Sequence, residues 1–248
     1  MFDLTSKVAL VTGGSRGIGR ATVEALAEQG AHVVFTYSVA AGEAEAVVAG
    51  VRARGGTAEA AQLDVRDTTA SEGLIAEVAK RLGRLDVLVA NAGIARDGLW
   101  VQMKDEALDE TLAVNVRGAL ACARAALRPM MKARRGRIIF VSSVVGEMGN
   151  AGQTAYAASK AALLGAAKAL AREYAKRNVT VNAVTPGFVD TDMTRDLPQP
   201  VKDAMLGAVP LGRTATAREI AAPIAFLASD EAAYVTGAVL RINGGMLT

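Results

Sequence analysis

The sequence predicts an α/β fold, a doubly wound parallel sheet of seven strands with helices on both faces. Short runs rich in Val and Ile alternate with longer Ala-rich stretches that have helical spacing, which is typical of βαβ units. The strand segments are apolar at almost every position, as expected where helices cover both faces of a sheet. A chain of 248 residues without an evident linker or repeat then predicts one domain, residues 1–248.

Each element follows from a change in this periodicity. The predicted strands run from Val8 to Thr12, His32 to Thr36, Ala58 to Leu63, Val87 to Ala90, Arg137 to Ser142, Thr180 to Val184 and Val239 to Ile242. The predicted helices run from Ile18 to Gln29, Glu43 to Arg54, Thr69 to Leu82, Asp105 to Arg134 with a break, Ala155 to Lys176 and Thr216 to Leu227.

The segment from Thr191 to Arg213 is a long connection that contains Pro198, Pro200 and Pro210. Long connections in compact domains are usually binding lids or disordered, and this one follows a strand end, where α/β sheets bind ligands. Residues 191–213 are therefore predicted to form a mobile substrate-binding flap, with an ordinary surface excursion as the alternative.

Composition excludes several classes of protein. With 51% apolar and 21% charged residues, the chain can bury a core and is not disordered. Cys122 is the one cysteine and His32 the one histidine, so neither an intrachain disulfide nor a histidine-based metal site is expected. The sequence contains no apolar run of membrane-spanning length, which favours a cytoplasmic protein. A net charge of +3 gives no reason to expect nucleic-acid binding.

A glycine-rich string follows the first strand and runs directly into a helix. Glycines permit positive φ and close backbone approach, so the unpaired N–H groups of the helix N-terminus can face a pyrophosphate. A purely structural tight turn is the alternative. The string covers Thr12, Gly13, Gly14, Ser15, Arg16, Gly17, Ile18 and Gly19.

The end of the second predicted strand indicates which dinucleotide binds. The usual fingerprint has an acidic residue there for the ribose 2′-hydroxyl, whereas this chain has Thr36, Tyr37 and Ser38. Arg16 adds a guanidinium where a 2′-phosphate would lie, which favours NADP(H) over NAD(H). A solvated loop charge is the alternative role for Arg16.

Tyr156 and Lys160 lie four residues apart at the start of a predicted helix, so both side chains share one face. An adjacent ammonium favours phenolate, so Lys160 is expected to lower the pKa of Tyr156 and make it an acid–base group. Ser143 at the end of the fifth strand could hold a carbonyl oxygen there; Ser142 is a competitor, and strand alternation points the two to opposite faces. The alternatives are that Tyr156 lies at the edge of the core on an amphipathic helix and that Lys160 lies on a solvated face.

Together these motifs resemble the short-chain dehydrogenase/reductase family, from about Lys7 to Gly245, which implies a Rossmann-like fold. The resemblance implies that the glycine turn, Ser38 and a set of later residues bind the cofactor, with Tyr156 and Lys160 contributing. It also implies a catalytic tetrad of Asn115, Ser143, Tyr156 and Lys160. The later cofactor residues are Asp64 and Val65 at the adenine, Asn91, Ala92 and Gly93 after the fourth strand, and Pro186, Gly187, Val189 and Thr191 near the nicotinamide.

The same resemblance implies NADPH-dependent reduction of a ketone. Tyr156 is the expected general acid, Lys160 the group that also holds the nicotinamide ribose, and Ser143 a donor to the carbonyl oxygen. Asn115 is expected to fix a water that reprotonates Tyr156, with a polar cap at a helix break as the alternative. The strings after Ser143 and Pro186 are most similar to bacterial enzymes that reduce 3-oxoacyl thioesters on acyl carrier protein in fatty acid biosynthesis. An acetoacetyl-CoA reductase, another NADP-dependent alcohol dehydrogenase and a non-catalytic NADP-binding protein are the alternatives.

Partners are predicted from local charge and from the resemblance. Two basic clusters, residues 132–137 and 168–177, could steer an acidic carrier protein, and Arg134 and Arg177 are the candidate docking residues. A coenzyme A phosphate would also bind arginine. The simpler interpretation of both clusters is that they are solvated helix faces. The resemblance implies a homotetramer. Four residues could line an acyl pocket or be ordinary core: Trp100, Met103, Met193 and Met205.

Overall fold

The computed structural model describes residues 2–195 and 198–248, apart from the side chain of Met193. In this part of the chain nine strands occur, in order β1 (Val8–Val11), β2 (His32–Tyr37), β3 (Thr57–Gln62), β4 (Val87–Ala90), β5 (Gly136–Val141), β6 (Val179–Pro186), β7 (Val189–Asp190), β8 (Ala215–Thr216) and β9 (Val239–Ile242). Seven of them form one parallel sheet in the spatial order β3-β2-β1-β4-β5-β6-β9. The predicted seven-stranded parallel sheet is confirmed, and each strand boundary falls within two residues of its expected position.

The helices lie between these strands. They are α1 (Gly17–Glu28), α2 (Ala41–Ala53), α3 (Thr68–Arg81), α4 (Asp105–Leu112), α5 (Ala119–Ala133), α6 (Val145–Met148), α7 (Thr154–Tyr174), α8 (Asp192–Arg195), α9 (Gln199–Gly207) and α10 (Ala217–Ala228). A π-helical turn, Ala113–Gly118, joins α4 to α5, and 3₁₀ turns occupy Trp100–Gln102 and Ala175–Arg177. The π turn is the break predicted in the long fourth helix.

Two apolar layers hold these helices to the sheet. One layer joins α3, α5 and α7 to one face, through side chains such as Ile75 and Leu163. The other joins α1, α2 and α10 to the opposite face, through side chains such as Leu26 and Ile224. Burying apolar surface stabilises the folded state by roughly 25 cal/mol per Å². Since both faces of the parallel sheet are covered, both layers contribute to stability.

The strand order positions a ligand crevice. From β1 the chain builds outward to β3 and then crosses to β4, on the other side of β1. In open α/β sheets ligands bind at the carboxyl ends of strands where the order reverses in this way. The crevice therefore lies where β1 ends at Val11 and β4 ends at Ala90, between the glycine turn and Asn91.

The described part of residues 191–213 contains more regular secondary structure than the expected loop. They contain α8 and α9, and β7 pairs with β8 on either side of them. Prolines were the reason for expecting a loop, but Pro198 is the N-cap of α9 and Pro200 lies in its first turn. A proline in the first turn of a helix displaces no internal hydrogen bond, so here prolines begin a helix.

Within the described residues, no helix is both long enough and apolar enough to cross a bilayer. The same residues contain no group of three or more His, Cys, Asp or Glu side chains that could hold a metal ion. Cys122 is a buried free thiol in α5.

Candidate active site

The glycine turn after β1 is a close-packed cradle. Gly13 has φ +67°, and a Cβ there would lie 3.1 Å from the Cα of Ala92. Gly17 has φ +54°, and a Cβ on Gly19 would overlap the carbonyl oxygen of Gly13. Larger residues would strain or block this turn, which leads directly into α1 and its unpaired N–H groups. The turn therefore fits the pyrophosphate of a dinucleotide.

Thr12 and Asn91 fasten this turn to the end of β4. The Asn91 side-chain amide donates to the carbonyls of Thr12 (2.9 Å) and Gly13 (3.0 Å). The Thr12 hydroxyl accepts from the backbone N–H groups of Asn91 and Ala92, both at 3.0 Å. These two side chains therefore hold the glycine turn against the end of β4. The sequence predicts cofactor binding for both and does not predict these contacts.

The residues predicted around the adenosine end have different surroundings. Arg16, the N-cap of α1, and Ser38, just beyond β2, are both exposed. The carboxylate of Asp64 accepts from the guanidinium of Arg66 at 2.6 Å, which lowers its pKa. The Val65 side chain is buried. A Cβ on Gly118 would lie 2.8 Å from the Val65 carbonyl oxygen, so the main chain here packs against the π turn.

The two serines after β5 point in different directions. The Ser142 hydroxyl is buried and donates to the carbonyl of Lys160 at 2.8 Å. The Ser143 hydroxyl accepts from the backbone N–H of Val145 at 3.2 Å, and it lies beside the phenol of Tyr156, whose pKa it acts to lower. Strand alternation separates the pair as expected, and it is Ser143 that shares a site with Tyr156.

Tyr156 and Lys160 lie on one face of the first turns of α7. The Lys160 Nζ is 5.6 Å from the centroid of the Tyr156 ring and donates to the carbonyl of Val141 at 2.9 Å. A Cβ on Gly93 would lie 3.2 Å from the same Nζ. Glycine at this position therefore lets the ammonium approach the end of β4, on the crevice side of the sheet.

Burial controls the charge states of this pair. Desolvation raises the pKa of Tyr156 to about 12, and the neighbouring Ser143 hydroxyl opposes that shift. Desolvation also lowers the pKa of Lys160 to about 8. The expectation that Lys160 lowers the pKa of Tyr156 is therefore wrong for this structure, in which burial has the largest effect and the Lys160 ammonium donates to the carbonyl of Val141.

Asn115 lies in the π turn with its side chain fully engaged. Its Nδ2 donates to the carbonyl of Ile94 (2.8 Å) and to the Ser159 hydroxyl (3.0 Å), and its Oδ1 accepts from the N–H of Ile94 (2.8 Å). Ser159 in turn donates to the carbonyl of Tyr156 at 2.7 Å. The side chain therefore connects the segment after β4 to the turn of α7 that carries the phenol. Both of its N–H groups are used, which leaves one Oδ1 lone pair to hold a water.

The segment after β6 closes the other side of the crevice. The carbonyl of Pro186 accepts from the N–H of Val144 at 2.9 Å, and a Cβ on Gly187 would lie 2.7 Å from the Cα of Asn243. Val189 is buried in β7, whereas the Thr191 side-chain methyl lies 3.5 Å from where a Cβ of Gly17 would be. The base of segment 191–213 therefore touches the glycine turn. The backbone of Asn243 against Gly187 is a contact that no sequence motif indicated.

Arg134 and Arg177 are not brought to this site. They precede β5 and β6, whereas Ser143 and Pro186 lie at the other ends of those strands. The six residues of β5 span roughly 20 Å at about 3.3 Å per residue. The two arginines are neighbours, because Arg134 Nη2 donates to the carbonyl of Lys176 at 3.0 Å.

The basic cluster before β5 is smaller than its sequence indicates. Arg137 is buried, donates to the carbonyl of Ser229 and pairs with Asp230 at 3.4 Å. Arg135 pairs with Asp86 at 3.1 Å. Two of the four cations in residues 132–137 are thus engaged in ion pairs, which sequence alone could not reveal.

The proposed acyl-pocket residues are scattered. Trp100 is 54% exposed in its 3₁₀ turn, with Leu99 and Val101 exposed beside it. Met103 and Met205 are partly buried, and Met205 lies on α9. The side chain of Met193 lies outside the described residues.

A doubly wound sheet with a glycine cradle at its switch point, and a serine, tyrosine and lysine at the next strand end, defines a dinucleotide-dependent oxidoreductase. Comparison with known proteins gives the family. A family model described as "Enoyl-(Acyl carrier protein) reductase" matches residues 13–247. The chain belongs to the short-chain dehydrogenase/reductase family.

Curated relatives match over almost their full length. The chain is 49% identical over 245 residues to the 3-oxoacyl-[acyl-carrier-protein] reductase FabG of Escherichia coli (strain K12), covering 99% of each chain. It is 50% identical over 245 residues to the FabG of Pseudomonas aeruginosa (strain PAO1), again covering 99% of each. The FabG of Staphylococcus aureus (strain Mu50) is 46% identical over 241 residues, covering 97% of this chain and 98% of the relative.

Solved structures share the same fold. A short-chain dehydrogenase from Burkholderia cenocepacia J2315, solved in complex with NADP, superimposes with a TM-score of 0.92 at 41% identity, covering 98% of both chains. The crystal structure of gox2181 gives a TM-score of 0.95 at 33% identity, covering 98% of this chain and 96% of the other.

Proposed function

We propose that this protein uses NADPH to reduce the 3-oxo group of an acyl thioester, carried on acyl carrier protein, to the 3-hydroxyacyl thioester of fatty acid biosynthesis. The observation that carries the proposal is that Ser143 and Tyr156 lie together beside a buried Lys160, whose Nζ is 5.6 Å from the centroid of the Tyr156 ring, at the mouth of a dinucleotide crevice. About half of the residues are identical to those of 3-oxoacyl-[acyl-carrier-protein] reductases over nearly the whole chain, which supports the choice of substrate.

NADP(H), when bound, supplies or accepts the hydride at the carbonyl carbon. The glycine cradle fits its pyrophosphate because a Cβ at Gly13 or Gly19 would collide with neighbouring backbone. Arg16 and Ser38 are exposed where they can contact a 2′-phosphate. The backbone at Asp64 and Val65 is assigned to the adenine. Gly93, with Pro186, Gly187, Val189 and Thr191, is assigned to the nicotinamide end.

Tyr156 gives its proton to the substrate oxygen as the carbonyl is reduced. A pKa of about 12 keeps this phenol protonated at neutral pH, which is the state a proton donor needs. An alkoxide is more basic than a phenolate, so the transfer runs downhill. Ser143 holds the same oxygen while negative charge grows there.

Lys160 and Asn115 support this proton transfer. Lys160 is the group assigned to the ribose hydroxyls, and its Nζ lies 5.6 Å from the centroid of the Tyr156 ring. Asn115 keeps the phenol-bearing turn of α7 in register with the segment after β4 through Ser159 and Ile94. A water on the remaining Oδ1 lone pair of Asn115 returns the proton by way of Lys160.

Several features beyond the site belong to the same proposal. Residues 1–248 act as one domain, with residues 191–213 as its substrate-binding flap, pinned at its base by the β7–β8 pair. A cytoplasmic homotetramer is the expected assembly, supported by the exposed small residues of α7, which permit close helix contact: Ala158, Ala161, Ala162 and Gly165. Arg134 and Arg177 are the proposed docking residues for the carrier protein.

The deciding assay offers one 3-oxoacyl chain on acyl carrier protein and on coenzyme A, with NADPH, across a range of salt concentrations. We expect a higher kcat/KM on the carrier protein that falls as salt rises, because charge steers an acidic partner. Equal, salt-insensitive rates would favour a coenzyme A thioester substrate. The matching 2-enoyl thioester is the control for the function that the family model's description names, and faster reduction of it would overturn the proposal.

The docking residues have their own test. Arg134→Ala and Arg177→Ala should raise KM for the carrier-linked substrate and leave KM for the coenzyme A substrate unchanged. Lys80→Ala, on the exposed last turn of α3, is a control that changes charge elsewhere. Unchanged KM for the carrier-linked substrate in both variants would remove these arginines from the proposal.

A further inference from the structure

An ion pair lies beside the catalytic segment that the proposed mechanism does not use. Glu147 Oε2 accepts from Arg241 Nε at 3.0 Å and from Nη2 at 2.9 Å. The Glu147 side chain is 13% exposed and that of Arg241 is 45% exposed, and the other carboxylate oxygen of Glu147 is buried with no hydrogen-bond partner among the described residues. Removing the partner of a charge this buried is costly, whereas exposed pairs contribute little. This pair is therefore placed where it can hold structure.

The pair joins two elements across the end of a strand. Glu147 is in α6, the turn that begins two residues after Ser143, and Arg241 is in β9. Between them lies β6, whose Thr185 is the register partner of Arg241. On the other edge of β6, the N–H groups of Ser142 and Val144 donate to Val184 and Pro186, both at 2.9 Å. The pair thus links α6, which follows β5, to β9 across the carboxyl end of β6.

The α6 turn touches the catalytic residues on both of its sides. The N–H of Gly146 donates to the carbonyl of Ser143 at 2.9 Å, and that of Val145 donates to the Ser143 hydroxyl at 3.2 Å. A Cβ on Gly146 would lie 2.8 Å from the backbone of Lys160. Movement of Glu147 would therefore be transmitted to the hydroxyl of Ser143 through one turn of backbone.

We infer that the Glu147–Arg241 ion pair is a positioning element that fixes the Ser143 hydroxyl for the reaction by clamping α6 across the end of β6. The inference rests on the proposed function, because it assigns the pair to the step in which Ser143 holds the substrate oxygen. Reaction rates respond steeply to such placement: a shift of about 1 Å can cost on the order of 10²-fold.

The test compares Glu147→Gln, Arg241→Gln, the double variant and the exchange Glu147→Arg with Arg241→Glu. The expected result is a loss of kcat of roughly tenfold or more in each single variant, with NADPH affinity by fluorescence titration within about twofold of wild type. The double variant should lose no more than the singles, and the charge exchange should recover most of the rate, since the pair acts as one unit. Arg218→Gln, which breaks the exposed pair of Arg218 with Glu28 between α10 and α1, should leave kcat unchanged.

Three results would overturn the inference. The first is a kcat within about twofold of wild type in both single variants. The second is a loss of NADPH affinity as large as the loss of kcat. The third is that the kcat losses of the two single variants add in the double variant. If a variant unfolds, Arg241→Lys replaces it. Lysine keeps the positive charge but lacks the planar guanidinium that donates through two nitrogens, so we expect a partial loss of kcat. Failure of the proposed function is a separate result, since wild-type protein would then reduce no 3-oxoacyl thioester.

Discussion

The ammonium of Lys160 donates to the main-chain carbonyl of Val141 at 2.9 Å, inside a site where the lysine is 4% exposed. Burial lowers the pKa of Lys160 to about 8, because the charged form has lost its water. At neutral pH the folded protein therefore holds a charge that the unfolded chain would hydrate better. A group needed for chemistry is kept there at the expense of stability.

Lys160→Met should make the fold more stable at pH 7, by up to about 3 kcal/mol, less the loss of the hydrogen bond to Val141. The sign follows from the pKa, which is about 8 in the folded state against 10.5 for the ordinary side chain. Between those two pKa values the unfolded wild-type chain binds more protons than the folded protein, so wild-type stability rises with pH. The difference in unfolding free energy between Lys160→Met and wild type therefore becomes smaller as pH rises from about 8 to 10.5. Denaturant titrations at pH 7 and pH 10 measure it; a difference that does not depend on pH would contradict the assigned burial.

Gly19→Ala should weaken NADPH binding at least roughly tenfold, about 1.4 kcal/mol. The added methyl group would overlap the carbonyl of Gly13 and force open the cradle. Gly42→Ala is the matched control, because a Cβ at that position of α2 meets nothing within 4 Å. Fluorescence titration with NADPH distinguishes them, and equal affinity in both variants would show that the cradle does not hold the cofactor.

Arg16→Ala should raise KM for NADPH about 10- to 100-fold and leave KM for NADH nearly unchanged, since a charge-assisted bond to phosphate is worth about 1.5–3 kcal/mol. The control is Arg20→Ala, one turn further along α1, whose guanidinium already pairs with Glu24 at 3.1 Å. Steady-state kinetics with both dinucleotides give the answer. Parallel changes for NADPH and NADH would exclude Arg16 from the 2′-phosphate site.

Trp100→Ala should raise KM for a ten-carbon 3-oxoacyl thioester roughly tenfold while acetoacetyl thioester kinetics stay unchanged, as burying about 60 Å² of apolar surface is worth that much. Trp100 is 54% exposed, and the adjacent segment is tied to the site because the N–H of Gly98 donates to the carbonyl of Gly152 at 2.8 Å. The control is Tyr234→Ala, a fully exposed aromatic residue near the start of β9. An equal effect on both chain lengths would mean that Trp100 does not contact the acyl tail.

Much of the fold follows from sequence because the signals are local. Valine and isoleucine runs locate the strands, and the spacing of Tyr156 and Lys160 places both on one face of α7. The flap shows a limit: Pro198 and Pro200 resemble loop residues until their position at the start of α9 is known.

The electrostatics of the site depend on contacts far apart in the chain. The pKa of Tyr156 is set by burial, and no spacing rule predicts how much water a folded site excludes. In the same way, the partner of Arg137 is Asp230, 93 residues further along the chain. Counting charges in the sequence therefore overestimated the number of unpaired cations before β5.

The most direct test of the central claim is the single-turnover rate of NADPH oxidation by Tyr156→Phe with a saturating 3-oxoacyl thioester. We expect NADPH binding to be retained and the rate to fall on the order of 10²- to 10⁴-fold, the usual contribution of a positioned acid. A rate equal to that of wild type would contradict the assignment of Tyr156 as the proton donor.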